Sequence, residues 1–393
     1  MNILFLSPTF PLPVTRGDKL RIFNQIKYLS LRHKITLLSF ISRNEMQYVD
    51  EMNKYCSHIK LVKYGIILPK LNMLMNVFSF KTSLIGLFQS YAMERELSAL
   101  LKKEKFDVLH VSTIKMVPYV LKYSNIPKLL DMIDSYSLNM KNRLKTDLLF
   151  KKPFIFWEFL KAAFNEKKIL TIFKYIVVCS ERDRARLLCP DKTFLIPNGV
   201  DTDYFYYSKL ENRNYNLVFV GNMGYYPNCD AVFNFVHNIL PKIKEKIPEV
   251  RFYIVGANPT RRIKKLSKID NNIFVTGEVK DVRPYLLEAS VFVSPIRAGS
   301  GMQNKILQSM AMGIPVVSTS FSASGIEYAN GINLFIADDP EGFSDKTIKL
   351  LKNVKERGIV SQNARELVEA KYSWVKAVNE LEKLYSRLLG GIA

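Results

Sequence analysis

Residues 291–320 read VFVSPIRAGSGMQNKILQSMAMGIPVVSTS. The apolar run VFVSPI (291–296) predicts a strand, and a glycine-bearing loop follows it. An amphipathic stretch from about 302 to 312 then predicts a helix stopped by Gly313, and IPVVSTS (314–320) predicts the next strand. Strand, loop, helix and strand in that order make a βαβ unit of a parallel sheet. Gly299 and Gly301 remove side chains where backbone amides can close on a ligand, and the helix N-terminus adds partial positive charge. The loop therefore predicts a phosphate or diphosphate cradle. Lys305 lies within reach of the same anion, and Gln308 offers a donor and an acceptor to a sugar hydroxyl from the same face. The alternative is a tight turn beside a solvated lysine. Neither a GxGxxG fingerprint nor a GxxxxGK[ST] loop occurs in the chain.

The same unit repeats outward. NILFLSP opens the chain, and a glycine-bearing loop and an amphipathic LRIFNQIKYLSLR lead from it to KITLLSF. Short apolar runs follow at 107–112, 128–134, 175–180 and 193–198, and the series restarts after PNGVDTDYF with runs at 216–222, 251–257 and 272–279. The expected architecture is α/β, with two doubly wound, Rossmann-like domains facing across a cleft. The expected bounds are 1–198 for the first domain, 199–375 for the second, and 376–393 for a C-terminal helix that packs on either.

Composition narrows the function classes. The 393 residues are 48% hydrophobic and long enough to bury two cores. Four scattered cysteines and four histidines form no CxxC, HxxxH or HExxH pattern, so neither a disulfide framework nor a metal site is expected. The N-terminus lacks a basic n-region and reaches Pro11 and Pro13 too early for a signal peptide, which makes the cytoplasm the simplest compartment. No apolar run is long enough to span a bilayer.

The net charge is +21, and residues 1–200 hold 32 Lys and Arg against 16 Asp and Glu. That asymmetry implies an anionic partner. Two stretches join the charge to large apolar side chains, Lys63–Phe88 and Leu148–Leu170. Each reads either as an interfacial segment for an anionic bilayer or as a buried helix with a solvated basic face. No nucleic-acid-binding signature accompanies the basic half, so no nucleic-acid partner is expected.

The series IPNGVDTDYF, LVFVGNMGYYPNCDAV, FYIVGANP, VTGEVKDVRPYL, VFVSPIRAGSGMQNKILQSMAMGIPVVSTS and YSW, in this order, resembles bacterial group-one (family four) retaining glycosyltransferases of the GT-B fold. It is most similar to sugar transferases of exopolysaccharide systems. The resemblance implies transfer of a sugar from a nucleotide-sugar donor to a lipid-linked or surface-polysaccharide acceptor, with retention and without an obligatory metal or other cofactor. It also implies a cytoplasmic enzyme held peripherally at the inner face of the plasma membrane.

Donor contacts implied by the resemblance are Gly221, Asn222, Arg297, Gly299, Ser300, Gly301, Asn304, Lys305 and Gln308, with Gly17 approaching the donor phosphates from the first domain. Arg16, Asp18 and Arg21 flank Gly17 on the acceptor side, where Asp18 is either an acceptor contact or an N-cap. His110 and Asp134, at the ends of two apolar runs, and Lys305 are the expected catalytic residues. His110 has a structural alternative. Tyr225 and Tyr226 either pack on the donor or serve interdomain packing.

The family usually carries two glutamates with seven residues between them, and here those positions are Ser300 and Gln308. Catalysis is then expected to rest on position and on stabilising the departing diphosphate. Two other readings stay open, a GT-B sugar-nucleotide epimerase and a non-catalytic nucleotide-sugar-binding or scaffold relative.

Overall fold

Asn2–Ser7 (β1) is buried from Ile3 onward, as a strand covered on both faces requires. The computed structural model describes residues 1–393 except 66–71, 73–74, 77–78, 209–213, 300–301 and 391–393, and the side chains of 145–146. Within it β1 is an interior strand of a seven-stranded parallel sheet. The others are β2 (Lys34–Ile41), β3 (His58–Lys63), β4 (Val108–Ser112), β5 (Lys128–Ile133), β6 (Tyr175–Val178) and β7 (Thr193–Leu195), in the order β3-β2-β1-β4-β5-β6-β7. Side chains alternate across β1. Leu4 and Leu6 join the core on one face and Ile3 and Phe5 that on the other.

A second sheet is six-stranded and also parallel. It comprises β8 (Asn216–Val220), β9 (Arg251–Val255), β10 (Ile273–Gly277), β11 (Val291–Ser294), β12 (Val316–Ser318) and β13 (Phe335–Ile336), in the order β10-β9-β8-β11-β12-β13. The half-polar edge strand β3 and the two-residue β13 carry too little apolar signal to be legible in the sequence.

The chain divides into one unit of Met1–Pro197 plus Trp374–Ala393 and another of Asn198–Ser373. The helix Trp374–Leu388 buries Val378, Leu381, Leu384 and Tyr385 in the first unit's core, at the i, i+3, i+4 spacing of one helical face. Among the described residues no helix is long and apolar enough to cross a membrane. Strand order reverses between β1 and β4 in the first unit and between β8 and β11 in the second. Ligands of doubly wound sheets bind outside the carboxyl ends at such a reversal.

Candidate active site

In the second unit the loops leaving β8 and β11 meet at the reversal. The helix after β11 runs Asn304–Ala311, shorter at both ends than expected, and Gly313 stops it at φ +73°. Lys305, in its first turn, reaches back over β8. Its Nζ donates to Asn228 Oδ1 at 2.8 Å and stands 4.4 Å from the centroid of the Phe219 ring. Asn228 is buried, and its Nδ2 donates to the Asn222 carbonyl at 2.9 Å, which turns the amide oxygen toward Lys305.

Gly221 makes this possible. A Cβ there would come within 2.8 Å of Asn228 Nδ2 and 2.9 Å of Lys305 Nζ. Gly256, at φ +139°, closes against it so tightly that a Cβ would lie 2.0 Å from the Gly221 carbonyl oxygen. No carboxylate pairs with Lys305 among the described residues, and burial pushes its ammonium down to about 7. An anion arriving there finds a cation already oriented and lacking a counter-charge.

Gly299 stands in this unit at φ +128°, with Pro227 and the Tyr225 hydroxyl beside it. Asn304 Oδ1 accepts from Asn198 Nδ2 at 2.9 Å, and Gln308 is half-buried and forms no side-chain hydrogen bond among the described residues. Ser300 and Gly301 lie outside the described residues. Asn222 is exposed, its Oδ1 accepting from the Gly224 amide at 2.9 Å. Tyr225 and Tyr226 are exposed at the start of the helix Tyr226–Asn234.

In the first unit, polar groups collect at the carboxyl ends of β1, β4, β5 and β6. Gly17 opens the helix Gly17–Leu29, and the exposed Arg16 pairs with Asp18 at 2.9 Å. Lys115 follows β4. Burial pushes its ammonium down against the pull of Asp18 and Asp134. Asp134 follows β5, and its Oδ1 is shut off from solvent with no hydrogen-bond partner among the described residues. Burial and then the neighbouring Asp183 carboxylate raise the Asp134 carboxyl to about 7. Asp183, which follows β6, is buried and accepts from the Ser135 amide at 2.9 Å.

The backbone beneath this cluster is strained. Ile133 and Thr113 have φ +67° and +66°, a region β-branched residues rarely enter. Each costs about 1–3 kcal/mol and persists only when its surroundings hold it. Cys179 donates its amide to the Ile133 carbonyl at 3.0 Å, and the Thr113 amide donates to Asp131 at 2.7 Å.

Residues 214–353 match the family described as glycosyl transferases group 1. This stretch is a group 1 glycosyl transferase domain. Over its whole length the chain is similar to an uncharacterized 44.6 kDa protein in the cps region of Klebsiella pneumoniae, at 21% identity over 97% of this chain and 99% of that one. It is also similar to the Escherichia coli UDP-Gal:alpha-D-GlcNAc-diphosphoundecaprenol alpha-1,3-galactosyltransferase, at 22% identity over 73% of this chain and 76% of the other. Among solved structures, sucrose-phosphate synthase from Thermosynechococcus elongatus superposes with a TM-score of 0.75 at 16% identity, covering 99% of this chain and all (100%) of that one. The fold is GT-B.

Against the group 1 glycosyl transferase expectations, two placements are corrected. His110 lies in the middle of β4, not at its end, and is fully buried. Its Nδ1 is 2.6 Å from Tyr385 Oη, its ring stacks on Phe5 at 4.1 Å, and burial lowers it to about 4, so it is a neutral core residue out of reach of a substrate. Arg21 is likewise interior rather than acceptor-side. Its Nε donates to Asp131 at 2.6 Å and its Nη1 to the Ile196 carbonyl at 3.0 Å. Arg297 is exposed and pairs with Asp230 at 2.9 Å.

Asp18 is not an N-cap. Arg16 occupies that position, and Asp18 accepts from the Lys19 amide at 3.0 Å. Sequence reasoning missed Asn228, Gly256, Lys115 and Asp183. The motifs YYPNCDAV and FYIVGANP contain the first two, but pairing Asn228 with Lys305 requires knowing that β8 and β11 are neighbours. Lys115 and Asp183 carried no motif.

Proposed function

We propose that the chain is a retaining glycosyltransferase that moves a sugar from a nucleotide-sugar donor to a lipid-linked or surface-polysaccharide acceptor at the inner face of the plasma membrane. The observation that carries this reading is the Lys305 ammonium, held over Phe219 by Asn228 at the sheet reversal, without a carboxylate partner among the described residues. A diphosphate is the natural counter-ion for that position. The acceptor is proposed from the relative whose name includes a diphosphoundecaprenol sugar.

In the proposed reaction the acceptor hydroxyl attacks the anomeric carbon from the face the diphosphate leaves. The carbon–oxygen bond to the diphosphate breaks, the glycosidic bond forms, and a diphosphate oxygen takes the hydroxyl proton. Lys305 neutralises the charge that develops on the leaving group, so no metal is invoked. Asp134, raised to about 7, is half protonated near neutrality and suits a hydrogen-bonding role toward the acceptor. An epimerase would need carboxylates and histidines converging on the sugar, and His110 is buried in the core of the first unit.

The test is turnover by the purified chain with a panel of nucleotide sugars and a polyprenyl-diphosphate sugar acceptor, with the anomeric configuration of the product determined. Binding of the donor without turnover under any pairing would favour the non-catalytic alternative.

A further inference from the structure

The helix Lys152–Ile172 is built with its polar face inward. Its buried positions include Glu158, Lys161 and Glu166. Glu158 pairs with Lys161 and accepts from the Ser83 amide at 3.0 Å and its hydroxyl at 2.9 Å, and Lys161 donates to the Asn76 carbonyl at 3.0 Å. Glu166 accepts from Ser135 Oγ at 3.0 Å and from the Ser137 amide at 2.9 Å. Charged residues are rarely buried unless paired in this way.

The outward positions are aromatic and aliphatic. Phe154, Phe156, Trp157, Leu160 and Phe164 are exposed, Phe164 by 58%, and the preceding turn adds Leu149 at 80% and Phe150 at 76%. Phe80, at 6.3 Å between ring centroids from Phe164, extends the patch on the other side. From 154 to 164 the helix rises about 15 Å, so these exposed side chains cluster along its outer side, where single scattered apolar residues would need no explanation.

The charges around it are sorted. Both acidic residues of the helix are buried, while Lys151, Lys167, Lys168 and Lys81 are exposed at the margins. A rim of cations around exposed aromatic rings fits an anionic, low-dielectric surface. A soluble protein partner or a second copy would bring carboxylates to meet the lysines but would not call for an apolar face of this extent beside a basic rim.

We propose that the face formed by the turn Leu149–Lys151 and the outer side of the helix Lys152–Ile172 inserts into the headgroup region of an anionic lipid bilayer. This deepens the membrane-face location proposed above and rests on it for its purpose, while vesicle binding is read without any turnover. Of the two basic apolar stretches singled out in the sequence, this surface belongs to 148–170. Much of the other, at 66–71, 73–74 and 77–78, lies outside the described residues.

The experiment is flotation of the full chain with vesicles of phosphatidylglycerol and phosphatidylethanolamine against vesicles of phosphatidylcholine, read together with tryptophan emission. The chain has two tryptophans, and Trp374 is 2% exposed, so a blue shift on binding reports Trp157. The expected result is at least tenfold stronger flotation with the anionic vesicles, accompanied by the blue shift. A variant combining Leu149→Ser, Phe150→Ser and Phe154→Ser should lose at least tenfold in binding while keeping the parent's melting temperature and its donor turnover in solution. Equal binding to both vesicle types, undiminished flotation of the variant, or a dimer of the full chain that the same substitutions dissociate would overturn the proposal. Loss of turnover with vesicle binding intact would instead count against the enzymatic reading alone.

Discussion

Lys305 Nζ and Asn228 Oδ1 lie 2.8 Å apart, on helices that follow two different strands of one sheet. The contact holds a cation in place before any ligand arrives. If it serves the donor diphosphate, Lys305→Met should weaken nucleotide-sugar binding by about 100-fold, the scale of a charge-assisted contact of about 3 kcal/mol. The same substitution should not lower the melting temperature, since it removes a half-buried charge with no carboxylate partner among the described residues. Calorimetric titration beside a thermal melt measures both, and unchanged affinity would remove Lys305 from the donor site.

The depressed ammonium of Lys305 gives binding a pH dependence with a definite sign. With its free value at about 7, the charged form that attracts a diphosphate declines as pH rises through neutrality. Donor affinity should therefore fall between pH 6 and 9, and binding at pH 8 should take up protons. Repeating the titration in buffers of different ionisation enthalpy detects that uptake. For stability the sign is opposite. The unfolded chain holds this proton to a higher pH than the folded one, so the group's contribution to stability rises with pH above about 7.

Gly221 and Gly256 should respond differently to alanine. At Gly221 the added Cβ meets side-chain ends, Asn228 Nδ2 and Lys305 Nζ, which can move aside at the expense of their placement. Donor binding should drop about tenfold with a loss of only about 1 kcal/mol in stability. At Gly256 the Cβ meets the Gly221 carbonyl oxygen at 2.0 Å in a backbone conformation that disfavours side chains, and the fold should lose more than about 3 kcal/mol. Denaturant unfolding of the two variants separates the cases.

His110 should matter to folding and not to turnover. Below the ordinary value of 6.5 the unfolded chain protonates this histidine while the folded one resists to about 4. Stability is lost as pH falls through that interval, by roughly 3 kcal/mol at about 1.4 kcal/mol per pH unit. His110→Phe should remove this acid sensitivity and leave the rate at neutral pH within about twofold, whereas an essential acid or base would cost about 100-fold or more. A large loss of rate in a variant that melts like the parent would return His110 to the active site.

Asp134 contrasts with it. Its carboxyl is raised to about 7, so its ionisation on going to alkaline pH is opposed by burial and by Asp183. Asp134→Asn should lower turnover about tenfold or more and flatten the limb of the pH–rate profile near 7, without lowering stability at pH 8. An unchanged profile would assign that limb to another group.

The fold was legible because parallel strands covered on both faces are nearly all apolar, as in VFVSPI and DVLHVS, and because loops such as RAGSG end at recognisable helix starts. What was legible of the donor half came from the same source. Lys305 follows a glycine loop, and its chemistry can be read from that position. Its partner could not be read there, because Asn228 is 77 residues away in sequence and becomes a neighbour only through the order β8-β11.

His110 was misplaced for a related reason. Its position within an apolar run shows that it belongs to a strand but not how deep it lies, and the covering residue, Tyr385, is 275 positions further on. Arg21 and Asp131 look like surface charges in sequence, yet together they make a buried pair whose two members lie 110 residues apart.

That Tyr385 roof also sets an order of events during synthesis. The second unit, Asn198–Ser373, is a continuous segment and can close its core as soon as it has left the ribosome. The first unit, although its strands emerge earlier, keeps Phe5 and His110 uncovered until Trp374–Leu388 has been made. Domains ordinarily fold in the order they emerge. Here the half begun first is completed last, and a ribosome that stalls before residue 374 leaves its core without Val378, Leu381, Leu384 and Tyr385.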